Sequence, residues 1–242
     1  MSQSEYSALR NKYSPWGLVG GLLGFTSVSA AIDDLLDAII IAWKGKKLAV
    51  LGARGVGKTH LIEFLTTGSL PTEYKQTLVS EETSSRRFSL KDRFSLKELN
   101  LNVKATLDLS GSKDAYGEWR KLHDEADIVL YLLRADRLIA SDREVEDRTR
   151  KDIQQISGWL DARSSRPPHF FIIGTHCDLD PKFQSTAPGK LGDYKDKFCQ
   201  LPIVKELVDR AGGTQQAKIA LGSMKTVEDT QLLVCQVFMQ VA

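Results

Sequence analysis

Residues Gly52 to Thr59 have the types and spacing of a phosphate-binding loop. They match the pattern Gly-x-x-x-x-Gly-Lys-Ser/Thr, between an apolar run and a helical apolar pattern. In that context the loop joins a strand to a helix N-terminus, where backbone N–H groups and the helix dipole attract phosphate. The pattern therefore predicts a site for a nucleoside triphosphate.

The residue types in this loop also predict individual roles. Glycines leave the inward-pointing backbone N–H groups accessible, and Lys58 supplies a cation for the β- and γ-phosphates. The Thr59 hydroxyl is a candidate magnesium ligand. We expect the loop and the next helical residue to contact the nucleotide through Gly52, Ala53, Arg54, Gly55, Val56, Gly57, Lys58, Thr59 and His60.

A second informative segment, Thr175-His176-Cys177-Asp178, follows an apolar strand pattern. A carboxylate at Asp178 can accept a pair of hydrogen bonds from the adjacent N1–H and N2–H₂ groups of guanine. Adenine presents no such pair, so the segment favours GTP over ATP. The alternative is a strand-end aspartate that forms a turn.

Together these segments resemble the motifs of the Ras-like small GTPases, including the Rab, Rho and Arf branches, over residues 47–242. Residues 175–178 stand where that family has Asn-Lys-x-Asp, residues 108–111 resemble its Asp-x-x-Gly element, and residues 222–226 resemble its Ser-Ala-Lys segment. The resemblance implies that Asp108 holds magnesium through water and that Gly111 meets the γ-phosphate. It implies base contacts for Thr175, His176, Asp178, Ser223, Met224 and Lys225.

Residues 74–79 resemble the first switch segment of the family, in which a threonine closes over magnesium when the γ-phosphate is present. This implies that role for Thr77, and makes Thr59, Thr77 and Asp108 the candidate metal ligands. Thr72 and Thr83 lie in the same polar stretch. Spacing alone excludes neither of them, nor an ordinary solvated threonine.

Two departures from the family pattern concern hydrolysis. Ser112 stands where the family usually has a glutamine that orients the attacking water, and serine is too short for that role. Arg54 stands where Ras proteins have glycine. Directed inward it would supply transition-state charge, and directed outward it would block an arginine finger from a partner. The candidate catalytic residues are Lys58, Thr77 and Arg54.

The resemblance implies a GTPase that acts as a GTP/GDP molecular switch through protein effectors or regulators, with Mg²⁺ as cofactor, and the two departures predict that its hydrolysis is slow. The alternative is a pseudo-GTPase that holds GTP without appreciable hydrolysis. A phosphotransferase ranks last because it gives no reason for Asp178 or Ser223.

Composition narrows the setting. The 242 residues contain 33 Lys and Arg against 31 Asp and Glu, a net charge of +2, so no nucleic-acid partner is expected. The 3 cysteines are far apart without Cys-x-x-Cys spacing, which favours a reducing compartment over a zinc site or a disulfide scaffold. The expected location is the cytoplasm, with peripheral association at a membrane left open.

The alternation of apolar strand and helix patterns predicts an α/β fold. The resemblance implies that this fold is a three-layer P-loop NTPase G domain. We expect a mostly parallel, six-stranded sheet with one antiparallel strand. Residues 86–98 and 101–109 are expected to form two paired strands with a tight connection at Asn100, and this hairpin adds the antiparallel strand. Ser141 and Glu144 are expected to form a capping box for a long helix. Residues 181–192 are expected to form a loop that reaches a helix near Pro202.

Residues 1–46 are predicted to be an apolar and amphipathic helical extension in front of the G domain at residues 47–242. A membrane-spanning helix there is disfavoured because it would bury Asp33 and Asp34. A helix over residues 29–43 would have an apolar face, which is expected to dock on the G domain, on a partner protein or on a membrane surface. Partners would bind through residues 16–43 or the switch segments, and membrane contact is not favoured because the polar face is acidic.

Overall fold

The computed structural model describes residues 46–71, 86–88, 99–105, 113–162, 166–185 and 191–240. The predicted N-terminal extension lies outside these residues, apart from residue 46. So do four positions of the predicted switch and Asp-x-x-Gly segments: Thr77, Asp108, Gly111 and Ser112.

A six-stranded sheet with the order β2-β3-β1-β4-β5-β6 forms the centre of the fold. Its strands are β1 (Lys47–Gly52), β2 (Arg86–Phe88), β3 (Leu99–Ala105), β4 (Ile128–Arg134), β5 (His169–Thr175) and β6 (Ala217–Leu221). All neighbouring strands pair in parallel except β2 and β3. The predicted α/β class with a mostly parallel sheet is confirmed.

Helices cover both faces of this sheet. They are α1 (Lys58–Thr67), α2 (Lys113–Glu125), α3 (Ala135–Ile139), α4 (Arg143–Ala162), α5 (Pro181–Gln184), α6 (Leu191–Gln200), α7 (Pro202–Arg210) and α8 (Val227–Met239). Leu48 and Val50 of β1 pack in a core with residues of α1 and α8, whereas Ala49 and Leu51 pack in a second core with α2, α4, α6 and α7. Alternate residues of the buried strand thus face opposite helical layers.

Strand order defines where a ligand would bind. The chain runs from β1 outward through β3 on one side and through β4 on the other, so the order reverses at β1. In open α/β sheets the crevice beyond the carboxyl end of such a strand is the usual ligand site. The phosphate-binding loop begins at this end of β1.

Helix ends agree with the sequence signals at two positions. Helix α1 ends at Gly68, whose φ of 73° is left-handed and whose N–H donates to the Phe64 carbonyl. The Thr226 hydroxyl accepts a hydrogen bond from the Asp229 N–H at 3.1 Å and caps α8. Glycine and threonine are residue types that helix ends of these two kinds prefer.

The predicted connection at Asn100 is wrong. Asn100 lies inside β3, opposite Arg87 of β2, in an antiparallel ladder that pairs Phe88 with Leu99. The turn preference of asparagine is overridden because the alternating apolar pattern Leu99, Leu101 continues across it.

The predicted capping box at Ser141 is also wrong. The Asp142 carboxylate accepts hydrogen bonds from the N–H groups of Glu144 (3.0 Å) and Val145 (3.3 Å), so Asp142 caps α4. Ser141 has a left-handed φ of 56° and precedes the cap. Aspartate has the added advantage of negative charge at a helix N-terminus.

The prediction of a loop over residues 181–192 is only partly correct, because two helices extend into this range. Helix α5 (Pro181–Gln184) and the start of helix α6 (Leu191–Gln200) fall inside it. Tyr194 and Phe198 of α6 are buried in the core, four residues apart on one helix face. No helix within the described ranges is long and apolar enough to cross a membrane.

Candidate nucleotide-binding site

The phosphate-binding loop depends on glycine at defined positions. Gly52, Gly55 and Gly57 have positive φ values of 143°, 75° and 93°. A Cβ atom on Gly52 would overlap the Leu132 carbonyl oxygen of β4, and one on Gly57 would overlap the Met224 side chain. The left-handed backbone and the close neighbours explain why the loop needs glycine there.

Lys58 lies beneath the loop. It is only 5% exposed, and its Nζ donates hydrogen bonds to the carbonyl oxygens of Gly52 (2.6 Å) and Ala53 (2.8 Å). These bonds span the loop from its last residues to its first. The buried ammonium group therefore holds the loop closed and provides positive charge at the helix N-terminus, as a polyphosphate requires.

The other loop residues differ in exposure. Val56 is 3% exposed and packs in the core, Ala53, Thr59 and His60 are partly exposed, and Arg54 is exposed. No residue in the described ranges forms a hydrogen bond or ion pair with the Arg54 guanidinium. Thr59 is the described member of the predicted metal-ligand set, and it occupies the first turn of α1, where its hydroxyl suits a magnesium ion.

Thr175 joins the predicted base-reading segment to the phosphate-binding loop. Its fully buried hydroxyl lies 2.9 Å from the Val56 carbonyl oxygen, 3.0 Å from the Leu133 carbonyl oxygen and 2.9 Å from Nδ1 of His176. The two carbonyl oxygens can only accept hydrogen bonds, so the single proton of the hydroxyl is shared between them. The hydroxyl oxygen then accepts a hydrogen bond from Nδ1–H of His176.

This contact fixes both the tautomer and the orientation of the imidazole. His176 has a left-handed φ of 58°, and its Nε2 carries the lone pair. Burial, followed by the positive charge of Arg134, lowers the pKa of His176 below its ordinary value, although Asp136 and Asp178 oppose this. The ring is therefore neutral at pH 7, unlike the lysine that the family usually has at this position.

Asp178 lies in a single 3-10 turn, Cys177–Leu179, directly after His176. Its carboxylate is partly exposed and makes no hydrogen bond to another residue of the described ranges. The Cys177 N–H donates to the Gly222 carbonyl at 3.2 Å, and the Gly222 N–H donates to the Gly174 carbonyl at 3.0 Å. The loops after β5 and β6 are thus hydrogen-bonded to each other.

The residues after β6 complete this arrangement. Ser223 is 4% exposed, and its hydroxyl accepts a hydrogen bond from the Lys225 N–H at 3.0 Å. Met224 is 8% exposed, and its side chain packs against Gly57 of the phosphate-binding loop. Lys225 is exposed. The predicted base-contacting segments and the phosphate-binding loop therefore lie together at the carboxyl edge of the sheet.

Two residue pairs beside this site were not anticipated. Arg134, at the end of β4, forms a bidentate ion pair with Asp136 at 2.7 and 2.5 Å. Burial would raise the pKa of Asp136, but the hydrogen bonds and charge of Arg134 hold that pKa below its ordinary value. The second pair, Asp180 and Tyr194, hydrogen-bonds at 2.8 Å. The sequence signal that could have drawn attention to Asp180 is its place before a proline, because an aspartate followed by a proline is typical of a helix N-terminus.

Comparisons with known proteins are informative at the level of the fold. No family model matches the chain, and no curated protein matches it. Many solved structures are similar. One is the crystal structure, in complex with GDP, of an ADP ribosylation factor-like GTP-binding protein, the small COPII coat GTPase SAR1, from Encephalitozoon cuniculi. It has 14% sequence identity and a TM-score of 0.50, with 97% of this chain and 94% of that chain covered.

Taken together, the sheet order and the glycine-containing loop that follows the carboxyl end of β1 define a P-loop fold. Within that class, the structural comparison shows that the chain has the fold of the Ras-like small GTPases. The resemblance inferred from the motifs is confirmed at this level.

Proposed function

We propose that this chain binds GTP and GDP with Mg²⁺ and acts as a slow GTPase switch through protein effectors or regulators. The solved structure of similar fold was crystallised with GDP, which supports a guanine nucleotide as the ligand. We propose the cytoplasm as its location, with any membrane association peripheral.

The observation that carries this proposal is the three-way hydrogen bonding of Thr175. Its hydroxyl lies within 3.0 Å of the Val56 and Leu133 carbonyl oxygens, and it bonds the imidazole of His176. A protein that bound only a phosphate group would not need to couple the phosphate-binding loop to a strand-end segment 119 positions away in sequence. A nucleotide does require it, because its base and its phosphates must be held at a fixed separation.

The chain's own residues divide the binding between them. Lys58 supplies charge beneath the β- and γ-phosphates, the loop N–H groups surround the β-phosphate, and the Asp178 carboxylate reads the guanine edge. The Thr59 hydroxyl, with Asp108 and Thr77 by resemblance, would hold Mg²⁺, which neutralises charge on the β- and γ-phosphates.

The proposed low rate of hydrolysis rests on Ser112 and Arg54. Ser112 cannot take the place of the water-orienting glutamine of the family. The exposure of Arg54 favours the outward alternative, in which the guanidinium obstructs a partner's arginine finger. The same two residues favour the second candidate, a pseudo-GTPase that uses bound GTP for structure.

Single-turnover hydrolysis separates the two candidates. Purified protein is loaded with GTP and Mg²⁺, and GDP formation is followed with the wild type and with Lys58→Ala. Slow GDP formation that Lys58→Ala abolishes supports the switch, whereas no GDP formation despite tight GTP binding supports the pseudo-GTPase. Tighter binding of ATP than of GTP would refute both.

A further inference from the structure

The proposed base-reading loop is held by a helix that none of the motifs includes. Tyr194 of α6 donates a hydrogen bond from its hydroxyl to Oδ2 of Asp180 at 2.8 Å. Both residues are buried, Tyr194 at 5% and Asp180 at 8% exposure. Asp180 follows Asp178 by two positions, so this contact fixes the end of the segment that carries the base-reading carboxylate.

The contact continues from Asp180 back to Asp178. The other oxygen of Asp180, Oδ1, accepts the Lys182 N–H at 2.9 Å and caps α5. Gln184, the last residue of that short helix, donates its side-chain amide to the Asp178 backbone carbonyl. The backbone of Asp178 is therefore connected to α6 through the hydrogen bonds of Asp180 and Gln184 and through the short helix α5 that lies between these two residues.

Packing supports the same connection. The rings of Phe183 in α5 and Tyr194 in α6 meet edge to face with centroids 5.0 Å apart. Burial, with smaller effects from Cys177 and Asp180, raises the pKa of the Tyr194 hydroxyl, so it remains a hydrogen-bond donor at all ordinary pH values.

The Asp178 carboxylate itself has no comparable anchor within the described ranges. Its position depends on the backbone that carries it. A carboxylate that accepts two parallel hydrogen bonds from a base edge needs an accurately placed backbone, because such pairs are specific in distance and angle. The contacts that hold the backbone of residues 178–180 in place should therefore also affect how well the base is recognised.

We propose that Tyr194 and Asp180 are positioning residues for base recognition, which set the backbone from which Asp178 reads the 2-amino group of guanine. This inference rests on the proposed binding of guanine nucleotides. Its signature is the preference for GDP over IDP. Hypoxanthine keeps the N1–H and O6 groups of guanine and lacks only the 2-amino group, so the affinity ratio isolates one of the two hydrogen bonds to Asp178.

The first test compares GDP and IDP dissociation constants, measured by calorimetry, for the wild type and Tyr194→Phe. We expect the wild type to prefer GDP, and the ratio of the two constants to fall roughly tenfold in Tyr194→Phe, the equivalent of one hydrogen bond to a charged group. A loss of folded protein lowers the binding-competent fraction for both ligands equally and leaves this ratio unchanged.

Tyr131→Phe is the matched control. Tyr131 is 1% exposed and donates a hydrogen bond to Oδ2 of Asp152 at 3.0 Å, so the substitution removes the same kind of buried contact in another part of the fold. We expect it to lower stability while it preserves the wild-type GDP to IDP ratio.

A second pair of variants tests the carboxylate side of the contact. Asp180→Asn keeps an acceptor for the Lys182 N–H and a polar group for Tyr194, whereas Asp180→Ala keeps neither. We expect Asp180→Ala to reduce the ratio as Tyr194→Phe does, and Asp180→Asn to retain most of it.

The possible failures are distinguishable. Wild-type ratios in both Tyr194→Phe and Asp180→Ala would overturn the positioning role and leave the proposed function intact. A wild-type protein that binds neither GDP nor IDP, or binds ADP as tightly as GDP, would overturn the proposed function and this inference with it.

Discussion

Replacement of Thr175 by valine removes the hydroxyl that links the base-reading segment to the phosphate-binding loop and preserves the shape of the side chain. In the wild type this fully buried hydroxyl lies 2.9 Å from the Val56 carbonyl, 3.0 Å from the Leu133 carbonyl and 2.9 Å from Nδ1 of His176. Because the hydroxyl has a single proton, the variant removes about one hydrogen bond from these buried groups, at a net cost of about 1–3 kcal/mol.

We therefore expect Thr175→Val to lower the free energy of unfolding by about 2 kcal/mol in urea denaturation of the nucleotide-free protein. Thr175→Ser is the control. It keeps the hydroxyl and loses one methyl group, so it should cost about 0.8 kcal/mol. For a domain of this size the valine variant should also melt about 6 °C below the wild type.

Nucleotide provides the second measurement on the same variants. Excess GDP stabilises a folded protein by an amount that depends on its affinity. This increment should shrink in Thr175→Val, because Val56 has lost its hydrogen bond to the base-reading segment, and should remain in Thr175→Ser. A valine variant as stable as the wild type, with the same increment from GDP, would refute the role assigned to the Thr175 hydroxyl.

Three further predictions concern other parts of the fold. Gly52→Ala should reduce both stability and nucleotide binding, because its Cβ would overlap the Leu132 carbonyl oxygen at a φ of +143°; a wild-type melting temperature would contradict this. Asp152→Ala should lower the free energy of unfolding by about 3 kcal/mol, because Asp152 is fully buried and pairs with Arg148 at 2.8 Å. Urea denaturation measures this change, and a change under about 0.5 kcal/mol would argue against the prediction. The lowered pKa of His176 means that the folded state binds fewer protons than the unfolded chain. Stability should therefore fall as the pH drops below about 6.5 and level off below the folded-state pKa. Melting curves from pH 5 to 8 should show a smaller decline in His176→Asn than in the wild type.

Local sequence signals predicted those parts of the site that one segment of chain determines. The loop from Gly52 to Thr59 follows a buried strand and opens a helix, and its glycines adopt the positive φ values that only this residue accommodates without strain. The near-continuous apolar run of β4 is typical of a strand that is covered on both faces, and β4 is buried between β1 and β5.

Features that depend on residues distant in sequence were not predictable in this way. Asp180 and Tyr194 are separated by 14 positions and a glycine- and proline-containing stretch, and nothing local indicates that they pair. The short pattern of Tyr194 and Phe198, next to Gly192, was too weak to predict α6. At Asn100, strand pairing overrides the local preference for a turn. At Ser141, the neighbouring Asp142 caps the helix instead, because aspartate is the stronger cap.

Calorimetric titration of the full chain with GDP and with ADP, both in the presence of Mg²⁺, tests the central claim most directly. The Asp178 carboxylate follows Thr175, whose hydroxyl contacts the phosphate-binding loop, by three positions. Its proposed role predicts that GDP binds at least about a hundredfold more tightly than ADP, since two hydrogen bonds to a charged group distinguish the bases. Asp178→Ala should remove most of that difference. Equal affinities of the wild type for GDP and ADP would contradict the account.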